Sequence, residues 1–340
     1  MVEAKLNVLI DISLGSTGKG NIAAYLASKN KISIAASNHG SNSGHSIIYK
    51  GETKVVKMLP VAGIYDVDST IVLGSGSVID LDILLKEIEE FGVKDRVLIS
   101  PTAPVINEYC KEYEREHLQY IASTFQGVGA AVGLKAMRSQ KIKLAKDYEE
   151  LNNYISYNLP DVVINKIDKM NGTGLVEIAQ GYGLSIDSEH YPMVTSRCVN
   201  VGQALAYLDV PASLVGDVIG VARTYPIRVG NVPNGYSGDT YVDSKELSWE
   251  ELSTKIGRKV SELTSVTKRI RRVFTFSKQL FETAVRRNRC NILFLTFVDY
   301  LLEEEKKEFV SYLISDKFNF KEIYFCSGFW RWSENIERIK

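Results

Sequence analysis

The sequence has no excess charge of either sign. Its 340 residues contain 41 lysine and arginine residues against 41 aspartate and glutamate residues, so the formal net charge at pH 7 is zero. A balanced chain does not coat a polyanion through bulk charge, which argues against a protein that binds nucleic acid directly. A small anionic substrate is not excluded, because a local basic cluster can bind one.

Cysteines and long apolar runs are also scarce. Cys110, Cys198, Cys290 and Cys326 are widely separated and lack the spacing of metal sites or redox motifs, so we expect free thiols in a reducing compartment. No stretch approaches the ~20 apolar residues of a membrane span, and the first residues lack the apolar core of a signal peptide. We therefore expect a soluble, cytoplasmic protein without a membrane partner.

Apolar and helix-forming segments alternate along the chain. Buried strands are predicted at 6–12, 31–36, 70–73, 96–100, 175–179, 214–222 and 291–298, with a hairpin at 46–50 and 53–58. Helices are predicted at 21–29, 80–91, 104–121, 199–208, 246–261, 277–287 and 303–314. This order predicts an α/β fold with a large, mostly parallel central sheet flanked by helices, and ligands along the carboxyl edge of its strands.

No linker, repeat or low-complexity tract divides the chain. Apolar residues make up 45% of it, enough for a sizeable core. We therefore expect a single domain over residues 1–340. The most polar and least periodic stretch, 139–175, is expected to form a surface excursion or a subdomain.

A glycine-rich loop directly follows the first predicted strand. It reads Gly15-Ser16-Thr17-Gly18-Lys19-Gly20-Asn21. A standard phosphate-binding loop needs glycine, four residues, then Gly-Lys-[Ser/Thr], whereas here Ser13 takes the first position and Gly20 follows Lys19. The position after a strand favours a shortened phosphate loop with Lys19 on a terminal phosphate. The alternative is a glycine turn with a solvated lysine.

The second predicted strand leads into a loop of small and polar residues, 38–46. It holds two asparagines and two histidines and almost no apolar side chain. Asparagine and histidine can hydrogen-bond a purine or a phosphoryl group, and a histidine can act as a general acid. We therefore interpret His45 as a functional residue, with a surface or capping histidine as the alternative.

Basic residues are concentrated between 268 and 289, where eight lysines and arginines face a single acidic residue, Glu282. Arg269 and Arg271 lie in this segment beside hydroxyl residues such as Thr267. Arginine forks next to hydroxyls suit the capture of a carboxylate or phosphate. A solvated basic helix face and a nucleic-acid-binding surface are the alternatives.

Together these segments resemble the adenylosuccinate synthetase family over nearly the whole chain. One such motif is weak support, but nine in the same order identify the superfamily. They lie at 15–21, 38–46, 59–65, 73–80, 123–129, 178–197, 228–230, 266–272 and 294–299.

The resemblance implies a ligase that joins L-aspartate to C6 of a purine monophosphate. A nucleoside triphosphate first phosphorylates O6 of the base; the aspartate amine then attacks C6 and displaces phosphate. The implied catalytic residues are Ser16, Lys19, His45 and Gln180, with His45 as the acid and Gln180 at O6. Mg²⁺ is the implied cofactor, with Ser16 and the backbone carbonyl of Gly44 as ligands.

The same resemblance assigns a set of residues to each of the three substrates. The implied triphosphate-binding residues are Gly15, Thr17, Gly18, Lys19, Gly20, Asn21, Phe297, Asp299, Ser327 and Gly328, with Asp299 reading the base. The monophosphate nucleotide would contact Ser16, Asn38, Thr124, Gln180, Thr195 and Val229, together with Arg138 donated by the partner of a homodimer. Thr267, Arg269 and Arg271 would bind aspartate.

The sequence departs from the family at position 16, where the family carries an aspartate that removes the N1 proton of the base. One interpretation is a catalytically dead, nucleotide-binding paralogue. A second is a changed substrate, because serine is shorter and can accept from the C2 amino group of guanine. The second matches the bacteriophage branch, the 2-aminoadenylosuccinate synthetases that act on dGMP. We expect that activity, with an adenylosuccinate synthetase acting on IMP with GTP as the alternative.

With serine at position 16, the identity of the group that removes the N1 proton stays open. A Mg²⁺-bound water, Ser16 relaying to phosphate, and Asp11 are the candidates.

A second departure is Phe297, which replaces a family lysine that covers guanine. An aromatic ring can stack on any purine, so we expect ATP or dATP rather than GTP as the triphosphate.

Overall fold

The computed structural model describes residues 5–264, 268–328 and 335–340. The strands are β1 Leu6–Asp11, β2 Ile34–Ser37, β3 His45–Tyr49, β4 Glu52–Val56, β5 Thr70–Leu73, β6 Val97–Ile99, β7 Pro104–Val105, β8 Lys143–Leu144, β9 Gly174–Gly181, β10 Val215–Arg223, β11 Ile227–Arg228, β12 Glu246–Leu247, β13 Arg272–Phe274, β14 Ile292–Thr296, β15 Glu322–Cys326 and β16 Ile336–Arg338. The helices are α1 Lys19–Lys29, α2 Val61–Tyr65, α3 Leu81–Phe91, α4 Glu108–His117, α5 Val128–Ala136, α6 Leu159–Ile164, α7 Val201–Leu208, α8 Trp249–Ile256, α9 Lys278–Asn288 and α10 Glu303–Leu313.

A large sheet forms the centre of the described structure. Nine strands lie in the order β16-β15-β14-β10-β1-β9-β2-β5-β6. Neighbours pair in parallel from β15 to β6, and β16 alone among these strands pairs antiparallel, with β15. This confirms the predicted mostly parallel sheet. Because the strands run in parallel, the segments after β1, β2, β9, β10 and β14 meet at one edge.

Apolar residues cover both faces of the sheet. All six residues of β1 are buried, which fits a strand near the middle of a parallel sheet. Leu9 packs into one apolar cluster, with Ile22 of α1, while Val8 and Ile10 pack into a second cluster, with Phe281 of α9. Alternate residues of the strand thus pack against helices on opposite faces of the sheet.

Some element bounds differ from the predictions. The helix expected at 104–121 begins at Glu108, because Pro104 and Val105 pair with β8 and Asn107 caps the helix through the Cys110 N–H. The helix expected at 246–261 begins at Trp249, after β12 and a capping serine, Ser248. Among the elements that were not predicted from the sequence are α5, β15 and β16.

The segment 139–175 contains β8, α6 and several short helical turns. Leu151 and Tyr154 pack into the cluster around Leu9, and Leu159, Val163 and Ile167 pack into the cluster around Val8. The segment therefore contributes to both apolar layers. Within the described residues, no helix has the length and apolar character needed to cross a bilayer.

Candidate active site

The loop between β1 and α1 is folded around the carboxylate of Asp11. One oxygen accepts from the backbone N–H groups of Ser13 at 2.9 Å and Gly15 at 3.4 Å, and the other accepts from the Thr17 hydroxyl at 2.7 Å. Burial raises the pKa of Asp11, although Lys19 and the three donors oppose this shift. The buried carboxylate therefore fixes the loop from inside.

The loop ends at a helix N-terminus without a side-chain cap. Gly18, at φ 79°, is the N-cap residue of α1 and makes no side-chain cap hydrogen bond. The first N–H groups of a helix have no intrahelical acceptor, and the helix dipole adds positive potential there. This end of α1 is suited to an anion such as a phosphate.

Lys19 lies just inside that helix and is 5% exposed. Burial lowers the pKa of Lys19, while Asp11 and Glu177 oppose the shift. Burial also raises the pKa of Glu177 to about 7, although the positive charge of Lys19 acts to lower it. The lysine is thus held among buried carboxyl groups at the start of α1.

Two side chains from neighbouring strand ends hold the backbone of the loop. The carbonyl of Ser16 accepts from Arg223 at the end of β10, at 2.9 Å. The next carbonyl, of Thr17, accepts from the Thr296 hydroxyl at the end of β14, also at 2.9 Å. Ser16 has φ 54°, a left-handed conformation that is uncommon for serine. Neither Arg223 nor Thr296 was assigned a role from the sequence.

His45 packs directly against the first turn of α1. A Cβ atom built on Gly20 would lie 2.8 Å from Cβ of His45, so a residue without a side chain is needed there. The His45 ring lies 4.5 Å from the ring of His39, centre to centre. Burial, Lys19 and His39 together hold the pKa of His45 well below its ordinary value. A neighbouring anion would raise that pKa again.

These elements enclose a cavity of about 310 Å³. It brings together most of the residues singled out in the sequence, from segments that are distant along the chain. Those on its wall are Gly15, Ser16, Thr17, Gly18, Lys19, Gly20, Asn21, Gly44, His45, Thr124, Gln180, Thr195, Val229 and Arg271. Asp11 also lines it.

Several polar atoms on this wall have no hydrogen-bond partner among the described residues. They are Oδ1 of Asn42, Nε2 of His45, Nε2 of Gln180 and Oγ1 of Thr195, all buried. Buried polar groups are costly unless they are paired. Their convergence on one cavity indicates a polar ligand with both donors and acceptors.

A smaller cavity of about 190 Å³ shares part of this wall. Asn42, Thr124 and Thr195 line both cavities. The smaller one also contacts Gly129, near the N-terminus of α5. Hydroxyl groups are expected around a phosphate, whereas the N–H groups at the start of α5 already donate to the Glu114 carboxylate.

The structure places Asn38 away from the cavity wall. Its side-chain oxygen accepts from the Ala179 N–H at 2.7 Å, and its carbonyl accepts from Arg197 at 2.7 Å. Asn38 is therefore a buried link between β2 and β9 that does not line the cavity. Asn42, four residues later in the same polar loop, lies on the wall of both cavities. Both asparagines belong to the loop singled out in the sequence, and Asn42 is the one that the structure places on the cavity wall.

The structure also does not support stacking of a purine on Phe297. The Phe297 side chain is 3% exposed, and the guanidinium carbon of Arg223 lies 3.8 Å from the ring centre. Its edge meets Tyr300, with ring centres 5.4 Å apart. Phe297 therefore supports Arg223 instead of presenting an open face to a base.

The other residues assigned to the triphosphate lie together beyond the cavity. Asp299 forms an ion pair with Arg258, and its second oxygen accepts from the Gly328 N–H at 3.2 Å. Ser327 donates its N–H to the Asn335 carbonyl at 3.1 Å. Asp299, Ser327 and Gly328 thus form a small cluster at the ends of β14 and β15.

The basic segment does not gather at the cavity as a whole. Arg271 lines the cavity and donates to the Leu263 carbonyl at 3.2 Å, whereas Arg272 forms an ion pair with Glu246. Arg269 is partly buried and does not line the cavity. Burial lowers the pKa of Arg271 to about 10. Thr267 lies outside the described residues, and Arg138 is exposed just after α5.

Among the described residues, no three histidine, cysteine, aspartate or glutamate side chains form a group that could hold a metal. The residues of the cavity wall include Ser16, which carries a hydroxyl oxygen, and Gly44, which carries a backbone carbonyl oxygen. Mg²⁺ commonly takes one or two protein ligands and completes its shell with phosphate and water. The donor set therefore fits a Mg²⁺ ion that arrives with a nucleotide.

Known proteins resemble this chain over most of its length. The family model "Adenylosuccinate synthetase" matches residues 8–155 and 140–322. The N6-succino-2-amino-2'-deoxyadenylate synthase of Vibrio phage phiVC8 is 35% identical over 309 residues, covering 87% of this chain and 86% of the relative. The adenylosuccinate synthetase of Methanococcus aeolicus is 34% identical over 298 residues, covering 85% and 83%.

A solved structure agrees with these matches. The succinoaminodeoxyadenylate synthetase of cyanophage S-2L, bound to dGMP and to dATP as an energy donor, matches with a TM-score of 0.86 and 28% identity. The match covers 100% of this chain and 96% of the cyanophage chain. The chain belongs to the adenylosuccinate synthetase family and is a carbon–nitrogen ligase.

Proposed function

We propose that this protein joins L-aspartate to C6 of dGMP, with ATP or dATP as the energy source. The products are 2-amino-2'-deoxy-N6-succinyladenylate, the nucleoside diphosphate and phosphate, and the first of them leads to 2,6-diaminopurine DNA. The observation that carries the proposal is Ser16, a hydroxyl at the cavity wall in a site that otherwise keeps its lysine, histidine, glutamine and arginine. The phage relatives support it through the reaction that their names describe.

The triphosphate would lie along the loop 15–21, with Gly18 and Lys19 at its terminal phosphates. The uncapped N-terminus of α1 supports this placement. Asp299, Ser327 and Gly328 would contact its base, and Asp299 would then have to share or release Arg258. Because Phe297 is buried, the choice of ATP or dATP rests on the dATP bound by the cyanophage relative.

The monophosphate nucleotide would span the two cavities, with its phosphate in the smaller one. Thr124, Thr195 and Asn42 line both and would hold the phosphate, while Val229 would lie near the sugar. Arg138 would reach this phosphate from the partner of a homodimer. Its exposed position after α5 leaves it free to do so.

Gln180 and Ser16 would read the base. The unpartnered Nε2 of Gln180 can donate to O6, the atom that is phosphorylated. The Ser16 hydroxyl can accept from the C2 amino group, which a carboxylate at this position would crowd. Selection of dGMP over IMP would therefore depend on the short side chain at position 16.

His45 would act as the acid during phosphoryl transfer. Its depressed pKa leaves it neutral in the free protein, and the negative phosphates of a bound nucleotide would raise that pKa and let it carry the proton. The γ-phosphoryl group passes to O6, the base loses its N1 proton, and the aspartate amine then displaces phosphate from C6. Asp11 lines the cavity but already accepts three hydrogen bonds, which limits its use as the N1 base.

Arg271 would bind a carboxylate of aspartate, with Arg269 and Thr267 nearby in sequence. The partly buried guanidinium suits that task, because a charge-assisted hydrogen bond strengthens where water is excluded. Ser16 and Gly44 would hold Mg²⁺. The ion would offset the negative charge of the phosphates.

Product formation from alternative purines tests the proposal. Purified protein is incubated with L-aspartate, Mg²⁺ and ATP, and dGMP or IMP is offered separately. We expect the succinylated product from dGMP. Product from IMP alone would indicate an ordinary adenylosuccinate synthetase, and nucleotide binding without phosphate release for either base would indicate a non-catalytic paralogue.

A further inference from the structure

Arg223 is a wholly buried arginine at the carboxyl end of β10, with 0% of its surface exposed. It is among the largest of the fully buried side chains, and it does not line the cavity. Burying a guanidinium is costly unless it is paired and hydrogen-bonded. The positions of its partners therefore indicate what the residue does.

The guanidinium joins two segments that are far apart in the chain. Nη1 donates to the Ser16 carbonyl at 2.9 Å, across 207 residues. Nη1 and Nη2 donate to the two carboxylate oxygens of Glu262 at 3.3 and 2.5 Å, across 39 residues. Ser16 and Glu262 both line the cavity. Arg223 thus connects two parts of the cavity wall without touching the cavity itself.

Glu262 connects this contact to Arg271. The Arg271 N–H donates to the Glu262 carbonyl at 2.9 Å, and the Glu262 carboxylate favours the charged form of Arg271. The path from the phosphate loop to Arg271 therefore runs through Arg223 and Glu262, by hydrogen bonds at each step.

The guanidinium is also held in place from its flat side. The Phe297 ring lies 3.8 Å from its central carbon, and the Phe297 carbonyl accepts from the Thr224 hydroxyl at 2.7 Å. A guanidinium packed against an aromatic ring and held by hydrogen bonds has little freedom to move. A shift of either Ser16 or Glu262 must therefore be transmitted to the other.

We propose that Arg223 is a positioning residue that couples the phosphate loop to Glu262 and Arg271, so that a triphosphate on the loop and an aspartate at Arg271 raise each other's affinity. The identity of the two ligands rests on the proposed function. The coupling itself rests on the contacts of Arg223. By linkage, each ligand must strengthen the other by the same factor.

Binding measurements test the coupling directly. The affinity for adenylyl imidodiphosphate, a non-hydrolysable ATP analogue, is measured by calorimetry with Mg²⁺ and dGMP, in the absence and presence of saturating L-aspartate. We expect at least about a fivefold ratio for the unchanged protein. In Arg223→Lys, which keeps the charge but loses the fork, the ratio should fall toward one.

A purely structural ion pair makes a different prediction. Arg223→Gln alone leaves the Glu262 carboxylate buried without its partner, so it is expected to lose stability. The double variant Arg223→Gln/Glu262→Gln removes both charges and should regain thermal stability. If Arg223 only stabilised the fold, this variant would also regain the full affinity ratio, and that result would overturn the proposal.

A second arginine serves as the control. Arg96 donates to the carbonyls of Asp66 and Ser69 at 3.1 and 2.8 Å, away from the cavity. Arg96→Lys should keep the affinity ratio of the unchanged protein; if it loses the ratio as Arg223→Lys does, the effect is not specific and the proposal fails. A ratio near one in the unchanged protein would also overturn it.

The assay separates this proposal from the proposed function. If dGMP yields no product but IMP does, the same titration with IMP still measures the coupling. An intact ratio in Arg223→Lys contradicts the role of Arg223, whichever base is the substrate.

Discussion

At the scale of single residues, position 16 is the sharpest test of the proposed specificity. Ser16→Asp places a carboxylate on the cavity wall, where it should crowd the C2 amino group of guanine and favour IMP. We expect the ratio of kcat/KM for dGMP to that for IMP to fall at least about tenfold. Steady-state kinetics with each base measure the ratio.

Ser16→Asn is the matched control, because asparagine has the size of aspartate without its charge. If crowding alone matters, Asn and Asp should lower the ratio equally. If the charge matters, Asp should have the larger effect. An unchanged ratio in Ser16→Asp would contradict the assignment of position 16 to the base.

A second residue-scale prediction concerns the contact between α1 and His45. Gly20→Ala adds a Cβ that would lie 2.8 Å from Cβ of His45, so the ring must move. We expect kcat to fall at least about tenfold, since general acid catalysis contributes ~10²–10⁴-fold. The helix should remain, because alanine favours a helix over glycine by about 1 kcal/mol.

Gly133→Ala on α5 provides the comparison. No heavy atom lies within 4 Å of the added Cβ there, so activity should be unchanged and the melting temperature should not fall. Circular dichroism and kcat on both variants separate the two effects. Normal activity in Gly20→Ala would mean that the position of His45 is not limiting.

The residues that were predicted from the sequence differ in kind from those that only the structure reveals. Glycine, lysine and histidine in short, local motifs predicted the phosphate loop and His45. Asn42 was not singled out because the same loop holds two asparagines, and only the fold determines which one lines the cavity. Arg223 and Glu262 were missed because their contact joins distant segments, and no local pattern encodes it.

At the scale of elements, α5 depends on a carboxylate from α4. The Glu114 oxygens accept from the N–H groups of Gly127, Gly129 and Ala130 at 2.8, 2.7 and 3.3 Å. Glu114→Gln replaces one acceptor with a donor that faces these N–H groups. We expect a loss of about 1–3 kcal/mol in the free energy of unfolding, measured with urea.

Glu108 lies on the same helix and provides the control. It forms an exposed ion pair with Arg115 at 3.0 Å, so Glu108→Gln should cost less than about 1 kcal/mol. Equal losses in the two variants would contradict the capping role of Glu114.

Elements with strong periodicity or long apolar runs were predicted well, including β1, β5, α3 and α10. Helix α5 was not predicted, because its glycines weaken the helical pattern and its N-terminus is capped by a side chain of another helix. β15 and β16 were missed too. Short pairings such as Pro104–Leu144 shorten the predicted helix at 104–121, because tertiary contacts override local preference.

At the scale of the whole molecule, the fold buries ionisable groups of both kinds at the ends of its central strands. Burial lowers the pKa of His39 to about 3, with Lys19 adding to the shift. Burial raises the pKa of Glu177 to about 7. These two groups affect global stability in opposite directions as the pH changes.

For His39 the unfolded chain binds the proton more readily, with a pKa near ~6.5. Its contribution to stability is therefore present above about pH 6.5 and is lost as the pH falls. Between pH 6.5 and 5 the loss amounts to about 2 kcal/mol. Glu177 behaves oppositely: the folded protein holds its proton more tightly, so it adds stability as the pH falls below about 7.

We therefore expect His39→Phe to lose less stability than the unchanged protein on acidification, because Phe keeps a ring against His45 but cannot bind a proton. The free energy of unfolding of both proteins is measured with urea at pH 6.5 and pH 5. Between these pH values the unchanged protein should lose about 2 kcal/mol more than His39→Phe. Glu177→Gln should show a larger acid loss than the unchanged protein, since the opposing group is removed. An acid loss in His39→Phe equal to that of the unchanged protein would mean that His39 is protonated without unfolding, and that the buried strand ends admit a charge.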